Sequence, residues 1–183
     1  MLKRNYKDSA LSISVLGLGC MRLPKMYPDK EDIDYEKAQE MVDYALANGI
    51  NYIDTAHMYH DGASEEFVGH ALKKHDRSSY FLATKMPIWM AETPADVERI
   101  FNLQLSRLQT DYFDFYLFHS LSTENFKKCI DFGVYEFLSK KKAEGVIRHL
   151  GFSFHDKPDV LEKICNTYEW DFAQIQLNYL DWE

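Results

Sequence analysis

The sequence predicts an α/β fold built on a parallel sheet, and three observations carry that prediction. Six apolar runs, aromatic and β-branched with little polar alternation, have the pattern of strands buried on both faces. Amphipathic stretches separate them, so strand–helix units recur at roughly 25 to 35 residues without sequence repetition. Polar residues able to do chemistry stand where the runs end, which is where parallel α/β sheets gather functional groups.

Taken in order, Lys3–Ser14 has a polar turn at Lys7-Asp8-Ser9 and reads as a small hairpin ahead of the sheet. Val15–Cys20 is the first run; its Gly17-x-Gly19 lacks the third glycine of a phosphate-binding fingerprint and reads as close packing. Tyr35–Asn48 sets Ala38, Met41, Val42, Ala45 and Leu46 on one helical stripe, with Gly49 as its stop. Asn51–Asp54 is the second run, followed by a helix opening at Ser64-Glu65-Glu66 and carrying Phe67, Val68, Ala71 and Leu72. After the third run, Tyr80–Lys85, Thr93-Pro94-Ala95-Asp96 combines a capping hydroxyl, a proline at the first helical position and an acid three residues on. That helix carries Val97, Ile100, Phe101, Leu105 and Leu108. Phe113–His119 is the fourth run, followed by one long helix from about Glu124 to Glu144, ending at Gly145. His149–Ser153, a helix starting near Pro158, and Phe172–Leu177 complete the series. No linker or low-complexity tract divides the chain, so residues 1–183 read as a single domain. A TIM barrel and an open doubly wound sheet both fit this order.

Composition removes several function classes. Hydrophobic residues make up 46% and charged residues 27%, which is globular rather than disordered usage. A net charge of -8 repels nucleic acid and anionic membranes overall, while leaving room for a local basic pocket. The N-terminus has no signal-peptide pattern, and no apolar stretch approaches the roughly 20 residues of a membrane span. Cys20, Cys129 and Cys165 are far apart and form no C-x-x-C. They encode neither a disulfide framework nor a zinc or iron–sulfur site, and read as core packing in a reducing cytoplasm.

The strand ends supply Asp54, Lys85, His119 and Ser153, with Gln176 late in the sixth run; the loop after the second run adds His57, Tyr59 and His60. A tyrosine hydroxyl alone is a poor proton donor to a carbonyl oxygen near neutrality. A lysine ammonium within a few ångströms favours the phenolate, and an aspartate supplies the counter-charge that a buried lysine needs. A histidine can orient the substrate oxygen by hydrogen bonding. Such a set moves a proton on oxygen while a cofactor moves hydride.

The motifs that carry these residues resemble the aldo-keto reductases. They are Gly-Cys-Met-Arg-Leu-Pro at 19–24, Tyr-Ile-Asp-Thr-Ala at 52–56 with Tyr59, Gly62 and Ser64-Glu65, Ala-Thr-Lys at 83–85, and Asp-Phe-Tyr-Leu-Phe-His at 114–119. Gly-Phe-Ser-Phe-His at 151–155 and Gln-Leu-Asn-Tyr-Leu-Asp at 176–181 extend the match over essentially the whole chain. The resemblance implies a (β/α)8 barrel with an N-terminal hairpin, reducing aldehydes or ketones with a nicotinamide cofactor bound without a Rossmann fold. It implies NADPH as the preferred cofactor, with NAD not excluded. It also implies a tetrad of Asp54, Tyr59 as proton donor, Lys85 and His119, with Ser153 and Gln176 holding the nicotinamide carboxamide. Two departures stand out. Phe154 and His155 follow the serine where the family commonly has asparagine, and the Met-Arg-Leu-Pro variant resembles the branch whose longer members carry a C-terminal ferredoxin-type domain. With six strands visible, the barrel is expected to be truncated before strands seven and eight, whose loops hold most of the adenosine phosphate and pyrophosphate in the family.

The plainer readings are an Asp54 that only caps or pairs, a Tyr59 that is one of twelve tyrosines, and a His119 satisfied in the core. Lys85 resists such a reading, because a lysine ending an apolar strand is costly unless paired. His57, His60 and His155 raise a metal site of the barrel-hydrolase kind. The H-x-H expected on the first strand is missing, so pocket lining is the reading and no metal is assigned. Trp89 and Trp170 read as packing or pocket wall, and Lys140-Lys141-Lys142 as a solvated helix face. Against the reductase stands a non-catalytic interaction or regulatory protein that retains the barrel residues. Its open sheet edges would seek a second copy or a second chain to complete the barrel.

Overall fold

A computed structural model describes residues 1–7 and 10–178. The chain opens with β1 (Lys3–Asn5) and β2 (Ser12–Ser14), an antiparallel pair with Lys3 opposite Ser14, as the sequence predicts. The middle of its turn, at Asp8 and Ser9, lies outside the described residues. Six parallel strands follow: β3 (Leu18–Gly19), β4 (Tyr52–Asp54), β5 (Phe81–Met86), β6 (Phe113–Leu121), β7 (Ile147–Phe154) and β8 (Phe172–Ile175). Each lies beside its predecessor, in the order β3-β4-β5-β6-β7-β8. A doubly wound sheet reverses its strand order at a switch point, so this unbroken order selects the TIM-type barrel arrangement left open by periodicity.

The period of two along the strands divides the sheet into two apolar faces. Ile53, Leu82, Tyr116, Phe118, Leu150 and Phe152 join the main core, packed under the helices α1 (Tyr35–Ala47), α2 (Ala63–Leu72), α3 (Pro94–Leu108), α4 (Thr123–Asp131), α5 (Val134–Ala143) and α6 (Pro158–Thr167). Ala83, Phe115 and Leu117 point the other way, into a smaller cluster with Tyr52, Phe81 and Phe172 and with Tyr6 and Ile13 of the hairpin. The hairpin therefore caps the starting ends of the strands. At one side Asn51 accepts from the Ser14 amide at 2.8 Å and donates to the Ser12 carbonyl at 2.9 Å. At the other, the Tyr6 hydroxyl donates to the Asp171 carbonyl at 2.9 Å.

Three elements differ from expectation. The first run is a strand only at Leu18–Gly19: Val15 and Leu16 are exposed, and Cys20–Arg22 forms a 3-10 turn. A side chain at Gly17 would come within 3.2 Å of the Tyr52 ring, which is the close packing expected there, whereas Gly19 has open space. The long helix after β6 is two helices, α4 and α5, because Gly133 takes φ 62 and turns the chain between them. Cys20 and Cys129 are buried as expected, but Cys165 is exposed on α6 rather than packed in the core. The capping box of α3 forms as read from Thr93 and Asp96. Among the described residues no helix is long and apolar enough to cross a membrane.

Helices α2 and α3 meet at Gly69, where an added Cβ would stand 2.3 Å from the Arg107 carbonyl oxygen and 2.9 Å from the Leu108 Cα. Backbone cannot yield there as a side-chain tip would. The substitution Gly69→Ala is expected to cost about 1–3 kcal/mol of stability, read as a lower urea midpoint at unchanged m-value. An unaltered midpoint would mean the two helices separate freely.

Candidate active site

The inward face of the sheet changes character along the strands. Near their starts it carries the apolar cluster, and near their ends it carries Asp54, Lys85, His119 and Ser153. Parallel register aligns these positions, since Asp54 pairs with Ala83 and Lys85 with Leu117, each one pleat from the next polar group. Lys85, His119 and Ser153 border a cavity of ≈ 520 Å³, which Tyr59, His155, Gln174 and Gln176 also line, and Asp54 is tied to it through Lys85.

Lys85 is the hub. It is only 2% exposed, and its ammonium donates to Asp54 Oδ1 at 2.7 Å, to the Thr55 carbonyl at 2.8 Å and to the Tyr59 hydroxyl oxygen at 3.3 Å. An ammonium has three hydrogens, and all three are used. Because the Tyr59 oxygen accepts from the lysine, its own O–H is left to donate toward the cavity. Burial raises the Asp54 pKa, and the Lys85 charge opposes that rise; its Oδ2 is buried with no hydrogen-bond partner. His119 meets the Tyr59 ring edge-on at 6.1 Å between centroids and lies against the Trp89 ring at 5.0 Å. Burial, aided by the Lys85 charge and by His155, pushes the His119 pKa down to about 3, so the ring is neutral at ordinary pH. Its Nδ1 is buried without a hydrogen-bond partner.

The other expected residues are placed less tightly. Ser153 is buried at the cavity wall, and its hydroxyl oxygen accepts from the Ser120 amide at 2.7 Å. That contact holds a register shift in β6 where Ser120 adopts φ 51. Gln176 lies just past the end of β8 rather than within it, at the cavity edge. The glutamine in register with Ser153 is Gln174. The three histidines do not converge as a metal reading requires. His60 Nε2 accepts from the Leu23 amide at 3.0 Å and its Nδ1 faces the Glu31 carbonyl at 3.1 Å, while His57 Nδ1 faces Glu65 and Arg107. Among the described residues no group of three or more His, Cys, Asp or Glu is placed to hold a metal ion. Burial, then the Asp54 charge, pushes the Cys20 thiol up to about 12, consistent with a packing role.

Behind the lysine lies a buried polar layer that sequence reasoning passed over. Glu65 and Gln104 are fully buried. Glu65 Oε1 accepts from Thr84 Oγ1 at 2.7 Å and from Gln104 Nε2 at 2.6 Å, and Gln104 Nε2 also reaches the Lys85 carbonyl at 3.0 Å. The signal was available for Gln104. It stands four residues from both Ile100 and Leu108, on the apolar stripe of its helix.

Comparison with known proteins shows which family this chain and its fold are similar to. The model of the Aldo/keto reductase family matches residues 15–183. An uncharacterized oxidoreductase, YqkF, of Bacillus subtilis is 35% identical over 99% of this chain and 58% of its own length. An NADH-specific methylglyoxal reductase of Escherichia coli is 30% identical over 93% of this chain and 57% of its own length. The holo form of the aldo-keto reductase AKR11C1 from Bacillus halodurans superposes with a TM-score of 0.77 at 34% identity, over 97% of this chain and 58% of that one. The chain thus spans under three-fifths of the length of each of these relatives.

The folded protein keeps His119 neutral down to about pH 3, while an unfolded chain protonates it near 6.5. Between those values the unfolded state binds more protons, so stability falls as pH drops through that window. Denaturation at a series of pH values is expected to show a steeper acid loss for wild type than for His119→Asn. Ring resonances of His119 should show no protonation at about pH 5; titration near the ordinary histidine value would contradict this account.

Proposed function

The chain belongs to the aldo/keto reductase family, and from that membership we propose that its site reduces aldehyde or ketone carbonyls with a nicotinamide cofactor. The observation that carries the proposal is the Lys85 ammonium shared between Asp54 and Tyr59, at 2.7 Å and 3.3 Å. Tyr59 is the proton donor, its O–H turned toward the carbonyl oxygen. Lys85 holds the hydroxyl oxygen and supplies positive charge beside the negative charge that develops there. Asp54 keeps the buried ammonium charged. His119, neutral and against Trp89, orients the carbonyl oxygen with a ring N–H.

The residues fit a nicotinamide carboxamide. Ser153 uses its oxygen as an acceptor and keeps its O–H to donate, and Gln174 and Gln176 border the same cavity with side-chain amides. When bound there, the cofactor supplies the hydride delivered to the carbonyl carbon. NADPH is the preferred reading by family resemblance. The NADH-specific relative keeps NADH as a second cofactor to assay.

One observation favours a second reading, a non-catalytic interaction or regulatory protein. The outer edges of β3 and β8 have no strand neighbour among the described residues, and such edges attract partners. Cofactor titration separates the two, since micromolar binding of NADPH by a monomer opposes the second reading.

The proposed role of Tyr59 is tested by Tyr59→Phe against a panel of aldehydes. A loss of about 10²–10⁴-fold in kcat/KM, with cofactor affinity retained, is expected. Nicotinamide oxidation unaffected by the substitution would refute the assignment.

A further inference from the structure

Tyr59 sits at the start of a turn that is not at rest. His60 and Asp61, the next two residues, adopt φ 52 and φ 52, left-handed conformations that strain a non-glycine backbone. Surroundings must hold such a turn. On its far side the His60 ring is fixed between the Leu23 amide and the Glu31 carbonyl. On its near side, His57 Nδ1 stands 3.5 Å from Glu65 Oε2, which also faces Arg107 at 3.6 Å.

Glu65 therefore joins both halves of the Lys85–Tyr59 contact. One oxygen receives Thr84 and Gln104, which with the Gln104 bond to the Lys85 carbonyl fix the backbone from which the lysine projects. The other faces His57, two residues before the tyrosine, and has no hydrogen bond of its own. Gln104 is clamped in turn by the Tyr116 hydroxyl, which donates to its Oε1 at 2.5 Å. Glu65, Thr84, Gln104 and Tyr116 are fully buried, while Arg107 and His57 at the margin of the layer retain side-chain exposure.

We infer that Glu65 is a positioning residue, which through His57 on one side and Thr84 and Gln104 on the other sets the separation of the Tyr59 hydroxyl from the Lys85 ammonium. The inference rests on the reductase reading for its kinetic consequence but not for its geometric one. A carboxylate whose two oxygens serve two different elements does more than fill space, because Oε2 faces the Arg107 guanidinium at 3.6 Å and that guanidinium stands 3.4 Å from His57 Nδ1. Moving the tyrosine by about an ångström is enough to cost on the order of 100-fold in rate.

The test compares Glu65→Gln, Arg107→Met and Arg107→Lys in the full chain, the arginine being the partner whose loss is least threatening to the core. Glu65→Gln is expected to lower kcat by about 10- to 100-fold with KM within about twofold. Arg107→Met should lower kcat several-fold, and Arg107→Lys should restore it. Independently of activity, ¹³C-labelled tyrosine spectra, with the Tyr59 signal identified by its loss in Tyr59→Phe, should show that signal displaced in Glu65→Gln and Arg107→Met. A lower melting temperature with kcat and the Tyr59 signal both unmoved overturns the inference and leaves Glu65 a packing residue. A wild type that reduces no carbonyl overturns the proposed function instead, and the Tyr59 signal then decides the positioning role by itself.

Discussion

A protonated lysine shut away from water is the constraint on which the site depends. Burying an ammonium costs several kcal/mol unless paired charge and hydrogen bonds replace its hydration. Here Asp54, the Thr55 carbonyl and the Tyr59 oxygen replace it completely. Each acceptor belongs to β4 or to the loop leaving it, while the lysine belongs to β5. The pair therefore forms only if β4 and β5 lie parallel in the register that sets Asp54 opposite Ala83. A slip by one residue would turn the lysine into the helix-packed core. Cost and geometry together make the site a condition of the fold, and the fold a condition of the site.

The same alternation explains why the remaining groups converge. On β6, Phe115 and Leu117 fill the inner cluster and His119 continues their line into the cavity. On β7, Gly151 carries no side chain because a Cβ would stand 2.4 Å from the Phe172 carbonyl; two residues on, Ser153 faces the same cavity. Its hydroxyl holds the irregular backbone at Ser120, so one atom serves both the strand and the cavity wall. The hairpin closes the opposite end of this face, leaving chemistry at the strand ends and apolar packing at their starts.

Much of this was legible in the chain. Six strands with continuous apolar runs, a proline-led helix with its capping pair, and the residues Asp54, Tyr59, Lys85 and His119 all follow from local pattern and motif. The break between α4 and α5 was not read, because apolar periodicity continues across it and one glycine decides the matter through a left-handed φ. Nor was the shortness of β3 read. Val15 and Leu16 look like core residues, yet Val15 instead extends the hairpin by bonding its amide to the Leu2 carbonyl. Glu65 is visible in the sequence as part of a helix opening and a motif, but not as a buried group, for a physical reason: a glutamate in the first turn of a helix ordinarily faces solvent and the helix dipole. Only the arrival of Thr84 and Gln104 from two other elements makes it buried and bonded.

The sequence by itself determined the class of fold, the family likeness and the identity of the polar groups at the strand ends, since these depend on periodicities of two and 3.6 and on ordered short motifs. The tertiary structure alone decided the strand order that excludes a doubly wound sheet, and the choice of Gln174 as the partner in register with Ser153. It also decided the buried carboxylate behind the lysine and the neutral state of His119. Those features are set by distances between residues far apart in the chain and by the exclusion of water, and neither is written in any local stretch of sequence.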